Sequence, residues 1–284
     1  MGYEGKATAA TARRAPFASE ALLAYAAAGA VAVGLKRAFG EAGAAELYWM
    51  LAPLTRLVEL LSGIDFYWEP PAGFVSNSAR LIIAPSCSGI TFLVVCFSTL
   101  AIPLLHRRQG PFGKLGWIAL TLGAAYLATL CVNAIRVLAS IHLYDADIYG
   151  AWLTPERAHR LLGTALYIGC LLPVYLAMER VTRADASRLG SRASAIRFLY
   201  PPFACYALFT IAIPLLRAPQ RGPAPALAEH LLTVGLATVV AFALCSAAVA
   251  LRRAGRVEAF TSLDTAAAKG PEKPRAPAGP ARSV

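Results

Sequence analysis

LGWIALTLGAAYLATLCVNAIRVLASIHL, residues 115–143, decides the fold. One arginine, Arg136, interrupts an apolar run longer than the roughly 20 residues that an α-helix needs to cross a hydrocarbon core about 30 Å thick. Working outward, similar apolar stretches fall near residues 18–35, 88–105, 159–178, 198–216 and 227–251. The expected fold is all-α: a polytopic transmembrane helix bundle of about six spans.

Composition agrees. The chain has 284 residues, of which 57% are hydrophobic and only 15% charged, and its mean hydropathy is +0.55. Soluble domains carry roughly 25% charged residues. The net charge of +11 does not point to nucleic acid, because the basic residues fall in short clusters between apolar runs, as the positive-inside rule expects of cytoplasmic loops. Cys96, Cys131, Cys170, Cys205 and Cys245 lie inside apolar runs with no CxxC pair and no zinc-like spacing, and are read as small buried hydrophobes.

Charge also sets an expected topology. Arg107, Arg108 and Lys114 follow the second span, and Arg180, Arg183, Arg188, Arg192 and Arg197 follow the fourth, so both connectors are expected in the cytoplasm. Asp145, Asp147 and Glu156 outweigh Arg157 in the connector between the third and fourth spans, which is expected on the outer side. Both termini are then cytoplasmic, although Lys36, Arg37, Arg217 and Arg221 vote the other way. Lys6, Arg13 and Arg14 precede the first apolar stretch, which is read as an uncleaved helix rather than a signal peptide.

Between the first two spans, Leu47, Leu51, Leu54, Leu57, Val58 and Leu61 recur at helical spacing, interrupted by Arg56 and Glu59. That pattern predicts an amphipathic helix at the membrane interface. Phe66-Tyr67-Trp68 and Arg80-Leu81-Ile82-Ile83 flank a stretch with Pro70, Pro71, Gly73 and Asn77, and predict a short two-stranded outer flap. From Asp264 the tail lacks apolar periodicity and is expected to be disordered.

Three segments carry reactive groups. Pro85-Ser86-Cys87-Ser88-Gly89-Ile90 stands at the outer start of the second span, where Ser86 is expected to cap the helix, Cys87 to gain thiolate character from the helix start, and Gly89 to leave room for a substrate backbone. Asn133, Arg136 and Ser140 share one face of the third helix by their spacing. An arginine inside an apolar helix is costly enough to suggest function. His159 opens the fourth span, followed by Arg160, Gly163 and Tyr167. His106, His142 and His230 have no recognisable partner group. Under the expected topology Cys87, Arg136 and His159 fall at the outer ends of successive spans. Thiolate, histidine and arginine together can run acyl transfer, as nucleophile, general acid/base, and oxyanion or carboxylate clamp.

These segments resemble the exosortase and archaeosortase family of membrane cysteine transpeptidases: Cys87 in Pro-Ser-Cys-Ser-Gly-Ile, Arg136 in Asn-Ala-Ile-Arg-Val and His159 in His-Arg-Leu-Leu-Gly. Leu51-Ala-Pro-Leu-Thr-Arg-Leu-Val-Glu-Leu-Leu-Ser-Gly63, with Phe66, is similar to the branch called exosortase K. The resemblance covers about residues 47–178. It implies a protease and transpeptidase of the bacterial inner membrane, with its site facing the periplasm or exterior. Exported proteins with a C-terminal sorting signal would be cleaved through a cysteine thioester and passed to a cell-surface acceptor. Asn133, Ser88 and Gly89 would bind or position substrate, and no metal or organic cofactor is needed. Ser88 departs from the small apolar residue of many relatives.

The implied layout is a cytoplasmic segment 1–17, a catalytic membrane core 18–180, a basic loop 181–197, an additional two-helix segment 198–252 and a basic tail 253–284. The rival readings are a transporter, with Arg136 and His159 lining a pathway, and a non-catalytic membrane assembly protein.

Overall fold

A computed structural model of the chain describes residues 15–78, 81–144, 149–150, 153–184, 200–215, 228–229 and 231–248. The chain divides into two units, 1–242 and 243–284; of the second, only the helical residues 243–248 are described. The elements run α1 (Ala15–Phe39), α2 (Tyr48–Ser62), β1 (Tyr67–Glu69), β2 (Gly73–Ser76), β3 (Leu81–Ile83), a 3₁₀ turn (Pro85–Cys87), α3 (Ile90–Ala101), α4 (Gly110–Tyr144), α5 (Pro155–Ala184) and α6 (Tyr200–Ala207). A π-turn (Leu208–Ala212) prolongs α6, and α7 (Leu231–Ala248) follows.

The protein is an all-α polytopic membrane bundle. Among the described residues, 5 helices are long and apolar enough to cross a bilayer: Ser19–Phe39, Pro85–Arg107, Gly110–Leu143, Arg157–Thr182 and Leu231–Ala248. Of the sixth expected span, 198–216, the described residues 200–215 form an apolar helix, Tyr200–Leu215, shorter than those five. Pro201 and Pro202 occupy its first turn, the place where missing backbone N–H groups cost least.

The core forms around α3. Phe92, Leu93, Phe97 and Leu100 are fully buried, and of the residues from Ile90 to Ala101 only Thr91 is not. A helix apolar all round needs neighbours on every side, and α1, α4, α5 and α6 all pack against it. The other long helices turn large side chains such as Leu22, Leu115, Leu127 and Leu236 outward, as suits lipid. The expectation that all five apolar-run cysteines are buried is corrected for the same reason. Cys96 is buried, Cys131 is exposed and Cys170, Cys205 and Cys245 are half-buried; all are free thiols.

Helix α2 buries Met50, Leu51, Leu54, Thr55 and Val58 and leaves Arg56 and Leu61 exposed. Its 15 residues span about 22 Å, short of a full crossing. The Tyr126 hydroxyl donates to the Trp49 carbonyl at 3.1 Å and fixes α2 on α4. The expected two-stranded flap is a three-stranded antiparallel sheet, ordered β1-β2-β3. Its middle strand rises out of the turn-rich stretch because Gly73, at φ 118°, brings the backbone against the Ile83 carbonyl where a Cβ would collide. Trp68 and Phe74 pack on Tyr48, with ring centroids 5.0 and 5.9 Å away.

The bundle has two distinct ends. At one, Arg107 pairs with buried Glu179 at 3.1 Å and donates to Thr182 at 3.0 Å, while Arg108 lies over the Trp117 ring. At the other, the end of α1 meets the start of α3 through Lys36 Nζ and Thr91 Oγ1, 2.9 Å apart, and the end of α4 meets the start of α5. Lys36 and Arg37, read as following the first span, belong to the last turn of α1. Residues 181–184, expected in a loop, continue α5. Asp145, Asp147, Arg188, Arg192, Arg197, Arg217, Arg221, His230 and the tail from residue 253 lie outside the described residues.

Candidate functional site

Ahead of α3 the chain makes a 3₁₀ turn in which the Cys87 amide donates to the Ala84 carbonyl at 2.8 Å and the Ser88 amide to the Pro85 carbonyl at 3.0 Å. Gly89 then adopts φ 74°, in the left-handed region, and α3 begins at Ile90. Ser86 is exposed and makes no cap, so the expected side-chain cap is corrected, and Cys87 lies before the α-helix rather than in its first turn. The first i→i−4 bond of α3 runs from the Leu93 amide to the Gly89 carbonyl. The amides of Ile90, Thr91 and Phe92 therefore end the helix without intrahelical partners, as every helix start does.

Gly89 does not leave room for a substrate backbone, as expected from sequence. Asn133 fills that room, because a Cβ on Gly89 would overlap its side-chain amide and come within 2.9 Å of the Thr129 methyl. Asn133 is only 1% exposed, and Ser88, next to Gly89 in sequence, is buried as well.

Helices α4 and α5 face each other across a ladder of polar contacts. Asn133, Arg136 and Ser140 share one face of α4; His159, Gly163 and Tyr167, each four residues apart, share one face of α5. Helix α5 starts at Pro155, with Thr154 Oγ1 accepting from the Arg157 amide at 3.3 Å, so His159 stands one turn inside rather than opening the helix. Arg136 lies against Gly163, where a Cβ would come 3.0 Å from Nε and 3.1 Å from Cζ. Its Nη1 donates to the Tyr167 hydroxyl at 2.9 Å, and its Nη2 meets His159 Nε2 at 2.7 Å.

Hydrogen-bond inventory assigns the protons. Arginine only donates, so His159 Nε2 is the acceptor and the ring is neutral with its proton on Nδ1. Nδ1 donates to Ser140 Oγ at 3.0 Å, and Ser140 passes its own proton to the Arg136 carbonyl at 2.8 Å. Tyr167, accepting from Arg136, donates onward to Asn133 Oδ1 at 2.8 Å. That orients the Asn133 amide with its nitrogen toward Gly89, where Nδ2 is buried without a partner among the described residues, as is Arg136 Nε.

Tyr167 is the hinge of this network, stacked on Phe92 with centroids 4.6 Å apart. Tyr167→Phe keeps the ring and strands groups of half-buried Arg136 and buried Asn133. Each stranded group costs about 1–3 kcal/mol, so the midpoint of unfolding in detergent should fall clearly; an unchanged midpoint would remove the bridge.

A cavity of about 590 Å³ opens beside the ladder, its wall including Lys36, Gly89, Thr91, Arg136, Gly163 and Tyr167. Pro85, Ser86 and Ser88 also reach it, whereas Cys87 and His159 are not part of the wall. Arg136 and His159 are thus in direct contact. Cys87 is half-buried, and among the described residues its thiol bonds to neither. Lys36 is the functional candidate missed by sequence reading, since nothing local couples it to Thr91, 55 positions away. Tyr167 carried a usable signal, its eight-residue spacing from His159.

Arg157 and Arg160 approach Glu229 at 2.9 and 3.6 Å, linking the start of α5 to the approach to α7. The hydrogen bond from Arg157, together with the charges of both arginines, holds the Glu229 carboxyl below the usual carboxylate range. In comparisons with known proteins, no family model, no curated protein and no solved structure matched this chain.

Proposed function

We propose that this protein is an exosortase-like cysteine transpeptidase of the bacterial inner membrane. It would cleave a C-terminal sorting signal from exported proteins and pass them to a cell-surface acceptor. One observation carries the reading: a half-buried neutral histidine, its tautomer fixed by an arginine and a serine, at the bundle end that also holds the Cys87 turn. Such a base suits proton transfer, and such a guanidinium suits a developing oxyanion. The opposite end carries Arg107, Arg108 and Lys114, which favours that end as cytoplasmic and the site as outward-facing.

In this mechanism the Cys87 sulfur attacks the carbonyl carbon of the scissile amide, and its proton passes to His159 Nε2. Arg136 covers Nε2 in the resting arrangement; the substrate carbonyl oxygen offers the guanidinium a competing acceptor, and the shift of Arg136 onto it frees the nitrogen. The tetrahedral intermediate collapses with loss of the amine, which takes the proton from Nε2. An acceptor amine or water then attacks the thioester and restores the thiol.

The test is anchor removal from co-expressed membrane-anchored proteins of the same genome, with Cys87→Ser, Arg136→Ala and His159→Ala at matched membrane levels. Loss of processing in all three is expected. Native-like processing by Cys87→Ser would end the thiol mechanism. The second reading, a transporter, is favoured by the cavity with Lys36, Arg136 and Arg160 in its wall. It expects solute flux in vesicles that Cys87→Ser leaves untouched.

A further inference from the structure

The resemblance to a known family ends near Met178, and the two later apolar segments have no role in it. We infer that these segments select the substrate: Tyr206, Phe209 and Thr210 of the α6 helix and Val234 of α7 form the specificity wall of the cavity that Arg136 and Tyr167 also line. This rests on the acyl-transfer reading above.

Three observations carry it. First, one continuous cavity has both groups in its wall, so a ligand that reaches the polar ladder also touches the later segments. Second, Phe209 and Thr210 stand in the π-turn Leu208–Ala212, a departure from α-helical geometry that re-aims side chains and is frequent at functional sites. Third, the wall is fixed to the catalytic helices rather than lying loosely beside them. Glu229 pairs with Arg157 and Arg160 on α5, two residues before and one residue after His159, and Tyr206 shares the cavity wall with Thr164, next to Gly163. Phe203 and Phe242, with centroids 5.0 Å apart, join α6 to α7.

The chemistry of the wall defines what it accepts. Phe209, Pro214 and Val234 are apolar, and Tyr206 and Thr210 add uncharged hydroxyls, so this part of the cavity fits an uncharged peptide side chain flanking the reacting amide. Size should be its criterion. An apolar pocket discriminates about 10- to 200-fold for a change of one methylene.

The experiment first maps the cleavage point in a membrane-anchored reporter by mass spectrometry of the product released by the native protein. Reporters then carry Ala, Val, Leu or Phe at each residue flanking that point, and are processed by the native chain and by Phe209→Ala, Phe209→Trp and Thr210→Val at matched membrane levels. Cys87→Ser and the exposed Leu215→Ala serve as controls. The expected result is a shift in the ratio of large to small reporters of about tenfold or more, upward in Phe209→Ala and downward in Phe209→Trp, with Leu215→Ala unchanged. Thr210→Val, nearly isosteric, keeps the fold and should still move the ratio. If the Phe209 and Thr210 variants scale all reporters by one factor, the specificity wall is overturned while the acyl-transfer reading stands. If Cys87→Ser processes the reporters as the native chain does, both are overturned.

Discussion

Arg136→Lys is expected to slow anchor removal by at least about a hundredfold, the loss typical when a charge-stabilising donor is withdrawn, at unchanged membrane levels. Lysine keeps the charge and loses the fork. The guanidinium reaches the Tyr167 hydroxyl and His159 Nε2 with two different nitrogens, at 2.9 and 2.7 Å, while lying flat against Gly163. An ammonium on a flexible stem is a point charge and cannot hold both contacts in one plane. With Nε2 uncovered, Ser140 alone is left to hold the imidazole in its tautomer, and Tyr167 loses the donor that makes it point its own proton at Asn133. The rate measured in membranes checks this, and a lysine variant as fast as the native chain would take the fork out of the mechanism.

Gly89→Ala is expected to be the most damaging small substitution in the chain. The left-handed backbone, φ 74°, costs an alanine about 1–2 kcal/mol. The added methyl also runs into the Asn133 amide and the Thr129 methyl, and overpacking of this kind costs about 1–3 kcal/mol more. Relief of the collision must push Asn133 off Tyr167 or turn the Cys87 segment away from α4, so processing should fall together with the unfolding midpoint. The double variant Gly89→Ala, Asn133→Ala separates the two causes. It recovers the overpacking part of the stability loss and not the backbone part. If the single variant unfolds like the native chain, the close approach of α3 and α4 at this point is wrong.

Hydropathy was enough to place most of the bundle. The run 115–143 had to be a helix because unpaired backbone groups are not tolerated in hydrocarbon, and the described α4, Gly110–Tyr144, contains it. The failures were local. Of residues 198–216, the described part, Tyr200–Leu215, is helical but shorter than the five candidate spans. Cys131 looked like a core residue because lipid-facing and core-facing positions are equally apolar. The flap gained a middle strand because the approach of Gly73 to the Ile83 carbonyl is a contact with another strand, invisible in the turn residues themselves.

Periodicity likewise put Asn133, Arg136 and Ser140 on one face, since 3.6 residues per turn is a property of the chain alone. Which residues oppose that face is set by how α5 packs on α4, and only the tertiary structure decided that Arg136 would cover His159 Nε2 and that Tyr167 would join Arg136 to Asn133. It also decided that Asn133 fills the space beside Gly89 and that Lys36 reaches Thr91. The sequence by itself determined a membrane bundle and the reactive side chains it carries, because transfer to lipid and helix formation depend on local composition. The pairing of those side chains depends on helix rotation and approach, which are fixed by steric fit between segments far apart in the chain.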